Sequence, residues 1–371
     1  MTHHDADVLD RVALNRALLA RQLLLQRSPA AAADALEHLV GLQAQAPEPP
    51  YTGLWTRLAD FRPEQLSGLL EERAAVRLVM MRSTLHLVTA RDCLRLRPVL
   101  HASLSRGLTS TFGRKLAGLP LADVAARGRE LVEKERLTLG GLGTRLAEHW
   151  PDRDPFALAN AVRALVPLVQ TPPRGLWGQG GQAVHTTAES WLGRPLDEDD
   201  AADDLVLRYL AAFGPATVKD VQTWSGMTGL NAVVRRLGPR LRVFRDENGA
   251  VLHDLPDAPR PDPGTPAPVR YLPEFDNILL SHADRSRILT AEQRARVLTR
   301  NGLVKSVFLV DGFVRGLWRL EREGDAAFLV LQPFSPVNRT QRRELTEEGM
   351  RLLSFAAADR TPAGVRFTDA A

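Results

Sequence analysis

Gln43 and Gln45, with only Ala44 between them, stand where a helix-like run from Ala30 to Leu42 gives out ahead of Pro47, Pro49 and Pro50. A neutral amide cannot serve as a general base near neutral pH, so such a pair suits a reaction whose leaving group is already good. An N-alkylated purine is one case: its ring carries positive charge, and the glycosidic bond breaks without an acid to protonate it. What remains is to hold a water beneath C1′ and to stabilise the developing oxocarbenium ion, which two amide oxygens can do. Spacing i,i+2 points both side chains the same way in an extended segment but not on a helix, and Pro47 favours the extended form. The more common use of such glutamines, capping a helix end and satisfying loop carbonyls, stays open.

A second compact signal follows at Met81-Arg82-Ser83-Thr84-Leu85-His86-Leu87-Val88. Arg82, Ser83 and Thr84 are candidates for a pocket or a DNA contact, and His86 reads more readily as a structural or phosphate-contacting histidine than as a catalytic one. Glu274, Asp276, Asn277, His282, Asp284 and Arg285 form a polar cluster around Phe275. A hydrolytic or metal site there is the weaker reading; buried ion pairs and hydrogen bonds tying neighbouring units together are the stronger one. No P-loop, Rossmann fingerprint or closely spaced metal-ligand set is present, and Gly178-Gln179-Gly180-Gly181 lacks a strand-to-helix setting. Cys93 is the single cysteine, which excludes intrachain disulfides and cysteine-based zinc sites. We therefore expect no cofactor and no metal.

The elements that must carry these residues are helix-rich units ending in hairpins. At 371 residues, 44% apolar and 25% charged, the chain has ordinary globular composition and room for several units. Leucines at helical spacing run from Leu9 to Leu25, a further helix runs from Phe61 towards Arg73, and Val76 to Val88 alternates as two strands. Helices over 121 to 135, around Leu146, and from Pro155 to Val166 lead to a wing, with Leu168–Gln170 and Leu176–Gly178 as its strands. Ala202 to Phe213, Val218 to Trp224 and a recognition helix from Gly229-Leu230 to Leu237 precede a hairpin turning at Asp246-Glu247-Asn248-Gly249. Pro256 to Pro268 holds six prolines in thirteen residues and reads as a linker. Beyond it, strands around Val307–Trp318 and Ala327–Leu331, with a helix from about Thr346 to Ala358, predict a small antiparallel sheet or barrel. The expected units are thus 8–120, 121–198, 199–256 and 262–371. Met1 to Asp7 reads as a frayed tail in which His3-His4 is incidental.

Charge permits a nucleic-acid partner without demanding one: the formal net charge is only +4. Two local groups matter more, Arg91, Arg95, Arg97, Arg106, Arg114 and Lys115, and Arg235, Arg236, Arg240, Arg242 and Arg245. Either could neutralise phosphates or be a solvated basic face. No apolar run approaches the roughly 18 residues of a membrane span, so we expect a cytoplasmic protein.

These motifs, in this order, resemble the winged-helix DNA glycosylase family to which the azinomycin-resistance enzyme of Streptomyces belongs. The likeness rests on Gly41-Leu42-Gln43-Ala44-Gln45, Arg82-Ser83-Thr84-Leu85-His86-Leu87-Val88, Pro173-Arg174-Gly175-Leu176-Trp177-Gly178 and Phe213-Gly214-Pro215-Ala216-Thr217. It extends to Leu272-Pro273-Glu274-Phe275-Asp276-Asn277, Ser281-His282-Ala283-Asp284-Arg285 and Asp311-Gly312-Phe313-Val314-Arg315-Gly316, and so through nearly the whole chain. The resemblance implies an α+β fold of three tandem winged helices followed by a C-terminal β-barrel domain in a C-shaped body. It implies Gln43 and Gln45 as the catalytic motif, with Arg82, Ser83, Thr84, His86, Arg174, Arg235 and Arg236 lining the pocket or contacting DNA. The implied activity is monofunctional excision of N7-alkylated purines, extending to interstrand crosslinks, since the motif offers no lysine for a Schiff base. The implied partner is double-stranded DNA carrying such lesions, bound by a monomer, with nucleoid association. A non-enzymatic DNA-binding regulator is the alternative, followed by a ligand sensor built on the C-terminal domain.

Overall fold

The structure, a computed structural model, describes residues 7–199 and 201–369. The expected tail with His3-His4 lies outside the described residues except for Asp7, whose carboxylate pairs with Arg242 at 2.6 Å.

The first unit holds helices Arg11–Arg21, Ala32–His38, Pro49–Trp55 and Pro63–Glu71 and the strands Ala75–Val79 and Leu85–Thr89. The helix expected to continue to Leu42 ends at His38, because Val40 (φ 55°) and Gly41 (φ 85°) take the left-handed conformation and reverse the chain. Only glycine fits at Gly41: a Cβ there would lie 2.6 Å from Val88 Cγ1 and 2.8 Å from the Leu87 carbonyl oxygen. The chain leaves that turn as a short edge strand, Leu42–Gln43.

That edge strand begins a six-stranded antiparallel sheet shared by the first two units. The order is Leu42–Gln43, Leu85–Thr89, Ala75–Val79, Leu168–Gln170, Val184–Thr187 and Leu137–Thr138. The return strand of the second wing is therefore Val184–Thr187, not the expected Leu176–Gly178. Leu176 is instead buried among the apolar residues of the first unit, Trp177 packs on Tyr51 with ring centroids 4.9 Å apart, and Tyr51 Oη donates to the Gly175 carbonyl at 2.8 Å. Burial of large side chains outweighs the local turn signal there.

The third unit follows the expected pattern closely, with helices Asp203–Phe213, Val218–Ser225 and Leu230–Leu237 and a hairpin of Arg242–Asp246 and Val251–Asp254. Thr217 and Asp220 form a reciprocal cap on the middle helix, with bonds of 2.8 and 3.1 Å. Val8–Leu9 adds a parallel strand to this hairpin.

The C-terminal sheet corrects the expected barrel. Its five strands, Arg270–Leu272, Val307–Val310, Phe313–Glu323, Ala326–Pro333 and Thr361–Phe367, stay in that order, and the first and last do not pair. Helix Arg339–Ala356 lies across one face, sinking Leu345, Leu352 and Leu353 among Tyr271, Phe308 and Leu329. Gly349 permits the close approach, since a Cβ there would stand 2.9 Å from both Leu329 Cδ2 and Val365 Cγ2. A helix packed on one face buries that face's apolar side chains without the sheet closing on itself. Among the described residues no helix is long and apolar enough to cross a membrane.

Helix Arg11–Arg21 ties the first unit to the rest. Arg21 makes a bidentate, fully buried ion pair with Asp254 of the third unit's hairpin at 2.6 and 2.8 Å. Asn15 Nδ2 donates to the Arg287 and Gly312 carbonyls, each at 2.8 Å. Arg57 does the same work towards the polar cluster, bidentate on Asp276 at 2.8 Å twice, while Asn277 Nδ2 donates to the Gly41 carbonyl at 2.9 Å. Removing one member of such a buried pair strands the other charge, at a cost of about 3–5 kcal/mol. The proline-rich segment is also pinned, through Arg21 on the Pro259 carbonyl and Arg16 on the Thr265 carbonyl. These bonds hold the Gln43 strand at a fixed place relative to the third unit.

Candidate active site

Gln43 lies opposite His86 in the edge ladder, and the extended chain continues past it. The Ala44 N–H donates to the Leu85 carbonyl at 2.8 Å, and Gln45 Oε1 accepts from the Leu85 N–H at 3.2 Å. Gln43 is 6% exposed, whereas Gln45 lies open to solvent at the end of the strand. The spacing thus produces one buried amide and one rim amide.

Arg82 orients the buried one. Its Nη2 donates to Gln43 Oε1 at 2.7 Å and its Nη1 to the Trp224 carbonyl of the third unit at 2.5 Å. Both glutamine oxygens are therefore held by protein donors, each with a lone pair to spare. Neither Nε2 has a protein partner among the described residues. Burial, then the neighbouring Arg285, lowers the Arg82 pKa to about 10, so the guanidinium stays charged.

His86 is 2% exposed. Its Nδ1 is 3.0 Å from the Thr84 carbonyl, which requires the proton on Nδ1 and leaves Nε2 as an acceptor. Burial first, then Arg82, pushes its pKa down to about 3, so the ring is neutral at physiological pH. A neutral imidazole of this kind is no proton donor to a leaving base.

Arg77, which sequence reasoning passed over, lies beneath the glutamine segment. It is 2% exposed and its Nη2 donates to the Ala44 carbonyl at 2.8 Å. Its Nε and Nη1 are buried without a partner, and no carboxylate pairs with it among the described residues. Burial, then Arg174, lowers its pKa to about 10. A charged residue in the otherwise apolar, wholly buried strand Ala75-Val76-Arg77-Leu78-Val79 was the signal available.

The other expected residues divide. Thr84 Oγ1 closes the turn onto the Met81 carbonyl at 3.0 Å. Ser83 is exposed, with its Oγ against helix His101–Leu116, where a Cβ on Gly107 would come within 2.5 Å of it. Arg174 flanks Arg77 and donates to the Gly181 carbonyl at 3.2 Å. Arg235 and Arg236 project from helix Leu230–Leu237 of the third unit; Arg236 pairs with Asp203, and Arg235 is exposed with no ion-pair partner among the described residues. In the earlier basic group, Arg91, Arg95 and Lys115 pair with Glu37, Asp204 and Asp154, and Arg97 is buried on the Ala164 carbonyl. Arg106 and Arg114 remain exposed on helix His101–Leu116. Of the polar cluster, Asp276, Asn277 and His282 are buried and bonded, Asp284 caps Ser286, and Glu274 turns outward.

Directly beyond Gln45 a cleft of about 840 Å³ opens between the first unit and the C-terminal sheet, lined by Ala46, Glu48, Trp177, Glu274, Lys305 and Trp318 among others. Burial, then Glu48, raises the Glu274 carboxyl. Ala46, the residue after Gln45, lines this open, partly aromatic cleft, whereas the Gln43 and Gln45 side chains do not.

Comparison with known proteins gives a consistent picture. Residues 36–355 match the family model described as DNA glycosylase AlkZ-like. The interstrand DNA cross-link repair glycosylase of Streptomyces sahachiroi is 24% identical over 374 residues, covering 93% of this chain and 96% of that protein. The solved structure of Streptomyces sahachiroi DNA glycosylase AlkZ is similar in fold, with a TM-score of 0.80 at 21% identity over 97% of this chain and 100% of that one.

Proposed function

Because the chain belongs to the AlkZ-like DNA glycosylase family, we propose that it is a monofunctional glycosylase that hydrolyses the N-glycosidic bond of N7-alkylated purines in duplex DNA, crosslinked bases included. The observation that carries this reading is the pair of glutamine amides on one extended edge segment, one buried and one exposed, with both oxygens held by protein donors.

The chemistry follows from what these groups can and cannot do. Neither amide nor the neutral His86 can donate a proton to the base, so the lesion must bring its own positive charge. As the C1′–N9 bond breaks, its electron pair neutralises the purine ring, and positive charge develops on the deoxyribose. The free lone pairs on Gln43 and Gln45 oxygens hold a water below C1′ and face that charge. The water oxygen bonds to C1′, its proton passes to solvent, and an abasic site and a free alkylated base remain. Gln43-Ala44-Gln45 carries no amine to form a Schiff base. The exposed position of Gln45 lets a lesion be approached without full extrusion, which a crosslinked base resists.

Base release from duplexes carrying 7-methylguanine or an N7–N7 crosslink, compared among the wild type, Gln43→Ala and Gln45→Ala, tests the reading. Release by the wild type that is lost in the variants, with DNA binding kept and no borohydride-trapped adduct, is the expected result. Tight binding of undamaged duplex with no release from either lesion would replace it with a DNA-binding regulator.

A further inference from the structure

The turn that carries Arg82 is costly to make. Arg82 (φ 55°) and Ser83 (φ 58°) are successive non-glycine residues in the left-handed region. Such residues persist only where surrounding structure holds them. Two elements do so here. Helix His101–Leu116 closes on Ser83 at Gly107. The loop after helix Val218–Ser225 closes on Arg82 itself: a Cβ on Gly226, at φ 78°, would stand 3.2 Å from the Arg82 backbone nitrogen and 3.3 Å from its Cα. Ser103 Oγ donates to the Gly226 carbonyl at 2.6 Å and locks the two elements together.

The guanidinium is equally constrained. It makes no ion pair among the described residues; it spans from the Trp224 carbonyl to Gln43 Oε1. An amide can face either way, but a guanidinium offers donors only. Gln43 must therefore present its oxygen to Arg82, and a flipped amide would set N–H groups against N–H groups. Trp224 and Gly226 flank the turn between helix Val218–Ser225 and helix Leu230–Leu237, the helix bearing Arg235.

We infer that Arg82 is a positioning residue that ties the orientation of the Gln43 amide to the seating of the third unit's helix–turn–helix against the first unit. This rests on the catalytic reading of Gln43. Arg82 touches neither lesion nor water; it fixes which atoms of Gln43 face them, and its brace runs to the unit that presents Arg235.

The test is single-turnover release of 7-methylguanine from duplex DNA by Arg82→Ala, Arg82→Lys, Gly226→Ala, Gln43→Ala and the Arg82→Ala/Gln43→Ala double variant, beside affinity for undamaged duplex. Arg82→Ala should lose about 100-fold in rate, the scale of a misplaced reacting group, with affinity for undamaged DNA nearly unchanged. Added guanidinium ion should restore part of that rate in Arg82→Ala and none in the double variant. The double variant should be no slower than Gln43→Ala alone, as expected when two residues act through one hydrogen bond. Gly226→Ala, which alters no side chain at the site, should also slow release with affinity kept. A parallel fall of rate and affinity in Arg82→Ala, or additive losses in the double variant, would overturn the inference while leaving the glycosylase reading intact. A wild type that releases no base from any lesion overturns both.

Discussion

Gln43 and His86 face each other across the edge ladder of the six-stranded sheet, so the buried amide and a neutral imidazole leave the sheet on the same face. With its pKa near 3, through burial and then Arg82, His86 does not change charge between pH 5 and 8. The rate constant for base release should accordingly be flat over that range. A limb near pH 6.5 that disappears in His86→Gln would show instead that the ring takes part in proton transfer.

The same buried histidines make the fold acid-sensitive. The pKa of His86 is lowered to about 3, and that of His185 to about 4 by burial, against about 6.5 when unfolded. The unfolded chain therefore binds protons first as pH falls. The stability these neutral rings support is fully present above pH 6.5 and is lost through the window from about 6.5 down to 3–4. Each costs at most roughly 1.4 kcal/mol per pH unit in that window. Urea midpoints at pH 7 and pH 5 should differ, and His185→Leu should narrow the difference; equal midpoints in the wild type would contradict the assignment.

Arg77 is a buried cation with two unpartnered nitrogens, Nε and Nη1, beneath the Ala44 carbonyl. Arg77→Met keeps most of the volume and removes the charge, so it should be neutral or stabilising, by up to about 1–3 kcal/mol. Base release should fall by about 10-fold or more, because the Ala44 carbonyl between the two glutamines is no longer held. Thermal denaturation and single-turnover kinetics on one preparation check both halves. A variant less stable yet fully active would mean that Arg77 serves the fold alone.

Arg235 and Arg236 are neighbours in sequence with different duties. Arg236 is held by Asp203, whereas Arg235 is exposed with no ion-pair partner among the described residues. Arg235→Ala should weaken binding to duplexes of any sequence and lower the slope of log K against log salt by about 0.9, the contribution of one phosphate contact. Arg236→Ala should change the slope less. Equal slopes for wild type and Arg235→Ala would remove this helix from the DNA-contacting surface.

Much of this architecture is legible in the sequence. Pro47 favours an extended glutamine segment, and the caps around Thr217 and the turn after Asp246 mark the third unit; these are local signals, set by allowed dihedrals and short hydrogen bonds, while the left-handed Val40 and Gly41 end the preceding helix earlier than its apolar spacing suggests. The polar cluster at Asp276 and Asn277 also matched the expected role of tying units together. What tertiary structure decided was everything that depends on residues far apart in the chain. Whether the C-terminal sheet closes depends on whether its end strands pair; they do not, and helix Arg339–Ala356 covers one face. The return strand of the second wing moved to Val184–Thr187 because Leu176 is buried in the first unit and Trp177 packs on Tyr51 there. That Gln43 is buried while Gln45 is open, and that Arg82 reaches from Trp224 to Gln43 across separations of 142 and 39 residues, no local spacing could encode. Spacing sets the direction in which a side chain points; only the packed neighbours determine what it meets there.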